Sequence, residues 1–76
     1  MVNKMVEELG ELTQAAMKYQ NNPSTINLER MTEELADVYI TTNHVVHRFG
    51  LYNRRKIYIV EKFKRLYNKL NGDEKQ

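Results

Sequence analysis

Six carboxylates fall in two short clusters, Glu7, Glu8 and Glu11, then Glu33, Glu34 and Asp37. Glu8 and Glu11 are three apart, as are Glu34 and Asp37, so each pair shares one face of a helix. At 100° per residue, both pairs lie at the flank of an apolar stripe, in the same rotational sense from its centre. Two helices packed antiparallel through those stripes would bring the pairs face to face. Carboxylates this close repel unless some are protonated, basic side chains neutralise them, or a cation sits between them. An all-oxygen donor set selects Mg²⁺, Mn²⁺ or Ca²⁺ over zinc, and Mg²⁺ typically takes its other oxygens from water and phosphates. The same spacing also suits two solvated acidic helix faces.

A basic complement follows. Lys62 and Arg65 share a helix face, Lys69 continues the row one turn on, and Arg54, Arg55 and Lys56 cluster upstream. Such cations pair the phosphate oxygens that a metal does not reach. They suit equally a solvated face or nonspecific attraction to nucleic acid. His44 and His47 lie two turns or more past Asp37, off the apolar stripe, and read as surface histidines. The chain has no Cys and a single Ser, Ser24, in a loop, so neither a Cys/His pair nor a Ser/His/Asp triad can be assembled. There is no Gly-rich phosphate loop. The five Tyr read as core and interface edges, and the four Met as packing filler.

The order Glu7-Glu8-Leu9-Gly10-Glu11, then Glu34-Leu35-Ala36-Asp37, resembles the EExxE…ExxD signature of MazG-like nucleoside triphosphate pyrophosphohydrolases, in the all-α NTP pyrophosphatase superfamily. The run Lys62-Phe63-Lys64-Arg65-Leu66 is similar to that family's basic C-terminal helix, so the resemblance spans nearly the whole chain. It implies that Glu8, Glu11, Glu34 and Asp37 bind Mg²⁺, with Mn²⁺ as a substitute, and that Lys62 and Arg65 contact phosphate. It also implies hydrolysis of an NTP or dNTP to the monophosphate and pyrophosphate, by a dimer or tetramer whose bundle is completed between subunits. Glu7, one turn from Glu11 on the same face, is the candidate for positioning or deprotonating the attacking water. Members of the family usually carry a helix before the first acidic motif. Only Met1 to Val6 precede Glu7 here, and there is no Trp to stack on a base, so the metal cage is expected to be more complete than the base pocket. The related phosphoribosyl-ATP pyrophosphohydrolases fit less well, because Asp37-Val38-Tyr39-Ile40 lacks the Tyr-His pair expected after their Asp. Two other functions stay open: a non-catalytic oligomerising module that binds metal or nucleotide, and a nucleic-acid or protein binder using the basic helix. Of the partners, nucleotide and further copies of the chain are expected, and membrane and nucleic acid are not.

Three helices must position these groups. Val2, Met5, Val6, Leu9, Leu12 and Ala16 recur at helical spacing, as do Leu28, Met31, Leu35, Val38, Tyr39, Thr42, Val46 and Phe49. Ile59, Phe63, Leu66, Tyr67 and Leu70 form a third stripe. The polar turn 20–25 and Gly50 separate the segments, with Asn27 and Asn53 as expected N-caps. The expected fold is all-α: a helical hairpin plus a third helix, forming one domain over 1–71 with a frayed tail at 72–76. Gly10 and Ile40 lie off the core stripes and suggest a second buried surface. Seventy-six residues bury little core, and no disulfide is available as a staple. Self-association is therefore expected to complete the bundle. No apolar run is long enough to span a membrane and the start lacks a signal-peptide h-region, which makes the cytoplasm the expected location. The net charge of +2 divides into −3 over residues 1–49 and +5 over 50–76.

Overall fold

A computed structural model describes residues 1–72. They form three helices, α1 (Val2–Asn21), α2 (Thr25–Arg48) and α3 (Tyr52–Gly72), with no strand among the described residues. The expected all-α fold is therefore present. Helix α3 runs one residue past its expected end, and the rest of the expected frayed tail lies outside the described residues.

Local chemistry fixes both turns. Pro23 disfavours helical backbone at Asn22, and α1 stops there with the Asn22 N–H donating to the Lys18 carbonyl at 2.9 Å. Ser24 caps α2: its Oγ accepts from the Asn27 N–H at 3.2 Å. This corrects the expectation of Asn27 as the cap. Asn27 lies inside the first turn, where its Nδ2 donates to the Asn22 carbonyl at 2.9 Å and braces the turn. After α2, Gly50 adopts φ +63°, a left-handed conformation that only glycine takes at little cost. The Gly50 N–H donates to the His47 carbonyl and the Leu51 N–H to the Val46 carbonyl, the paired bonds of a Schellman motif. Asn53 is not the cap of α3 as expected: the helix starts at Tyr52, two residues earlier than an Asn53 cap would allow, and the Arg55 N–H already donates to the Leu51 carbonyl at 2.8 Å.

Helices α1 and α2 pack together along their length as an antiparallel hairpin, while α3 touches only α2 and makes no contact with α1. Its anchor is at the elbow, where Arg55 Nη1 donates to Asn43 Oδ1 at 2.7 Å and the guanidinium lies 6.0 Å from the Tyr52 ring centroid. The result is a plate of 43 × 35 × 15 Å, little thicker than one helix. Its radius of gyration is 16.3 Å, against about 11 Å for a compact chain of this length.

A single layer cannot cover its own apolar stripes. No hydrophobic side chain is fully buried among the described residues. Met5, Leu12, Ala16 and Tyr19 of α1 and Met31, Val38, Val45 and Val46 of α2 are half-buried. Val2, Val6 and Leu9, expected in the same stripe, are exposed, as are Leu28, Leu35 and Tyr39 of α2 and the whole stripe of α3. The physical reason is width, since each apolar arc is broader than one neighbouring helix can cover. Nothing within the chain covers Gly10 or Ile40 either: a Cβ at Gly10 would meet no atom within 4 Å, and Ile40 is exposed.

Candidate metal centre

The two motif pairs meet across the hairpin. Carboxylate oxygens of Glu8, Glu34 and Asp37 lie within 4.8 Å of one another, and so do those of Glu7, Glu8 and Glu11. Glu8 belongs to both sets. Three of the four residues read as metal ligands, Glu8, Glu34 and Asp37, thus come together across the hairpin, while Glu11, like Glu7, is grouped with Glu8 along α1.

Burial is concentrated at this point. Glu8 retains 5% of its surface and is the one buried residue of α1. Desolvation raises its pKa above the ordinary carboxylate value, and the negative charge of Glu11 adds to the effect. Glu34 is raised for the same first reason, then by the charges of Glu11, Asp37, Glu8 and Glu33. One oxygen of Glu34, Oε1, is buried and has no hydrogen-bond partner. A buried acceptor without a donor is costly, and a cation or a bound proton relieves it. Oxygens around Mg²⁺ at 2.0–2.1 Å lie no more than about 4.2 Å apart, and around Ca²⁺ slightly more. Separations of at most 4.8 Å accommodate that range, and the all-carboxylate donor set fits a hard divalent cation.

Three cations that sequence reasoning passed over sit beside these acids. Lys4 Nζ lies 3.2 Å from Glu7 Oε1 and 3.6 Å from Glu8 Oε1. The hydrogen bond to Glu7, followed by the surrounding negative charge, raises the Lys4 pKa. Its spacing of three and four residues from the acids was the available signal. Lys18 and Arg30 line a groove of about 610 Å³ that runs from Glu11, Glu34 and Asp37 towards the hairpin turn, past Gln14 and Asn27. Lys18 is two turns beyond Glu11 and Arg30 one turn before Glu34, so helical spacing places both on the acidic side.

Lys62 and Arg65 sit elsewhere in a single chain. They lie exposed on α3, which does not touch α1, and no α3 residue lines the groove. His44 and His47 are exposed on α2. Among the described residues no helix is long and apolar enough to cross a membrane.

No family model, no curated protein and no solved structure matches the chain.

Proposed function

We propose that this chain is a Mg²⁺-dependent nucleotide pyrophosphohydrolase that converts an NTP or dNTP to the monophosphate and pyrophosphate. The observation that carries this reading is the convergence of Glu8, Glu34 and Asp37 across the hairpin, with Glu11 beside Glu8, Glu8 buried and a Glu34 oxygen lacking any donor. The motif resemblance supplies the reaction class. When bound, Mg²⁺ or Mn²⁺ supplies positive charge against the phosphate oxygens and polarises the phosphoanhydride for hydrolysis.

The chain's own groups do the rest. Glu8, Glu34 and Asp37 hold the cation, with Glu11 completing the set. Glu7 accepts the proton of the attacking water as its oxygen bonds to phosphorus and the P–O anhydride bond breaks, releasing pyrophosphate. Lys4 holds the Glu7 carboxylate in place through its hydrogen bond. Lys18 and Arg30 pair the phosphate oxygens that face along the groove, Arg30 through a fork suited to two of them. Lys62 and Arg65 would make the same contacts only from a neighbouring subunit. A chain without Cys suits a reducing cytoplasm, where nucleotide substrates and Mg²⁺ are at hand.

One observation favours a second reading, a non-catalytic metal- or nucleotide-binding module. The basic residues of α3, Lys62 and Arg65, stand apart from the carboxylates within one chain, so a single copy gathers the acids without those cations. Pyrophosphate release from a panel of NTPs and dNTPs, with Mg²⁺ or Mn²⁺, separates the two. Release by the native chain that Glu34→Gln abolishes supports the enzyme. Cation binding without release by a folded chain supports the module and overturns the enzyme.

A further inference from the structure

Helix α3 carries an apolar face that nothing in the chain covers. It does not touch α1, and its anchor to α2 is the Arg55–Asn43 hydrogen bond at the elbow. At about 100° per residue, Ile59, Phe63, Leu66, Tyr67 and Leu70 fall within an arc of about 100°. All five are exposed, with Phe63, Tyr67 and Leu70 each keeping 66% of their surface. Cations stand along both borders of the arc. Lys62 and Lys69 follow the Leu66 side, Lys64 follows the Tyr67 side, and Lys56 lies within the arc near the elbow. The opposite face is polar through Arg54, Glu61, Arg65 and Asn68, with Ile57 and Tyr58 at its edges. The helix holds seven Lys or Arg and one acid, Glu61, so whatever covers it must be anionic.

We propose that α3 lies on an anionic lipid bilayer, with its apolar arc sunk at the headgroup level and its bordering lysines on lipid phosphates. The arrangement of charge chooses this occupant. Nucleic acid would satisfy the cations through its phosphates but leave the apolar arc in water. A bilayer surface satisfies both at once, because hydrocarbon lies just beneath the anionic headgroups. Lysines beside an apolar arc suit that depth, since their stems cover apolar surface while the ammonium groups reach outward. Tyr67 suits it too, with an apolar ring and a polar tip. The rest of the chain agrees with this orientation. Residues 1–49 carry a net charge of −3, so an anionic surface repels the hairpin and favours contact through α3. The expectation of no membrane partner rested on the lack of a spanning run. Among the described residues no helix is long and apolar enough to cross a membrane, and a helix lying in the interface needs no such run. This inference does not rest on the proposed activity, because it uses neither the carboxylates nor a substrate.

The test is co-sedimentation of the full chain, in chelator, with vesicles of phosphatidylcholine alone or with about a third phosphatidylserine. The chain should bind the anionic vesicles, and bind the neutral ones at least tenfold more weakly. Raising KCl from about 0.1 M to about 1 M should weaken anionic binding at least tenfold. Lys64→Gln and Lys69→Gln should each weaken it by about fivefold, and Phe63→Ser at least tenfold, with helical circular dichroism confirming that each variant is folded. The chain has no Trp, so an introduced indole reports one position. Emission from Phe63→Trp, in the arc, should shift to the blue on anionic vesicles. Emission from Asn68→Trp, on the opposite face, should stay unchanged. Equal shifts at both positions overturn the proposal, as does equal binding to both kinds of vesicle. Absence of vesicle binding overturns it too, including where the chain binds duplex DNA instead. So does Phe63→Trp emission that is already blue in buffer and unmoved by vesicles, which would mean that protein covers the face.

Discussion

Adding Mg²⁺ to the cation-free protein should raise its melting temperature by more than ionic strength can explain. A ligand that binds only the folded state at a hundred times its Kd stabilises by about 2.7 kcal/mol. Unfolding entropy near 2.1 cal/mol/K per residue gives about 0.16 kcal/mol/K for 76 residues. The melting temperature should then rise by about 17 °C at that saturation, following the cation concentration logarithmically. The structural reason is local: Glu8 and Glu34 are pushed towards protonation by burial and by their acidic neighbours, and Glu34 Oε1 has no donor. A cation at that point relieves repulsion and the orphaned acceptor together. The assay is thermal unfolding followed by helical circular dichroism, in chelator and in rising MgCl₂, with KCl at matched ionic strength as control. Glu34→Gln keeps the side chain's shape and should lose most of the increment. Equal melting temperatures in MgCl₂ and matched KCl would refute the cage, because screening alone acts through both salts.

Glu8→Gln and Asp37→Asn should weaken divalent-cation binding yet raise the cation-free melting temperature, since like-charge repulsion falls; lower cation-free melting temperatures in both variants would contradict this. Glu8 and Glu34 bind protons more tightly folded than unfolded, so cation-free stability should be greatest at mildly acid pH and fall as pH rises above their ordinary 4.5 and through the raised values. Lys4, raised above 10.5, contributes stability that persists through neutrality and fades only at higher pH. Urea midpoints at pH 5 and pH 7 check the carboxylate effect, and a higher midpoint at pH 7 counts against it. Gly50→Ala forces a side chain into the left-handed region at φ +63° and should cost about 1–2 kcal/mol. Ser24→Ala removes the cap of α2 and should cost about 1 kcal/mol; urea titration measures both.

The hairpin and its acidic pairs were legible because both rest on the 3.6-residue period. Glu8 with Glu11 and Glu34 with Asp37 could be placed on facing flanks from angle arithmetic and an antiparallel turn alone. Gly50 was legible for a similar reason, as few other residues accept its conformation. The caps were not. Ser24 and Asn27 are both competent polar residues, and the extended backbone that Pro23 permits at Ser24 decided between them. The position of α3 was not legible either. Its apolar stripe calls for a partner without saying which, and the elbow at Gly50 carries it away from α1. Lys18 and Arg30 were missed because the denser basic run of 54–69 drew the assignment of phosphate contacts, although their register on the acidic side was available from the sequence.

The most direct test of the central claim is the identity of the products. The full chain, an NTP and Mg²⁺ are incubated together and followed by ³¹P NMR. The account predicts equal amounts of nucleoside monophosphate and pyrophosphate, dependent on the divalent cation and absent with Glu34→Gln. Diphosphate with orthophosphate, or an unchanged triphosphate beside a folded and cation-loaded chain, would contradict it.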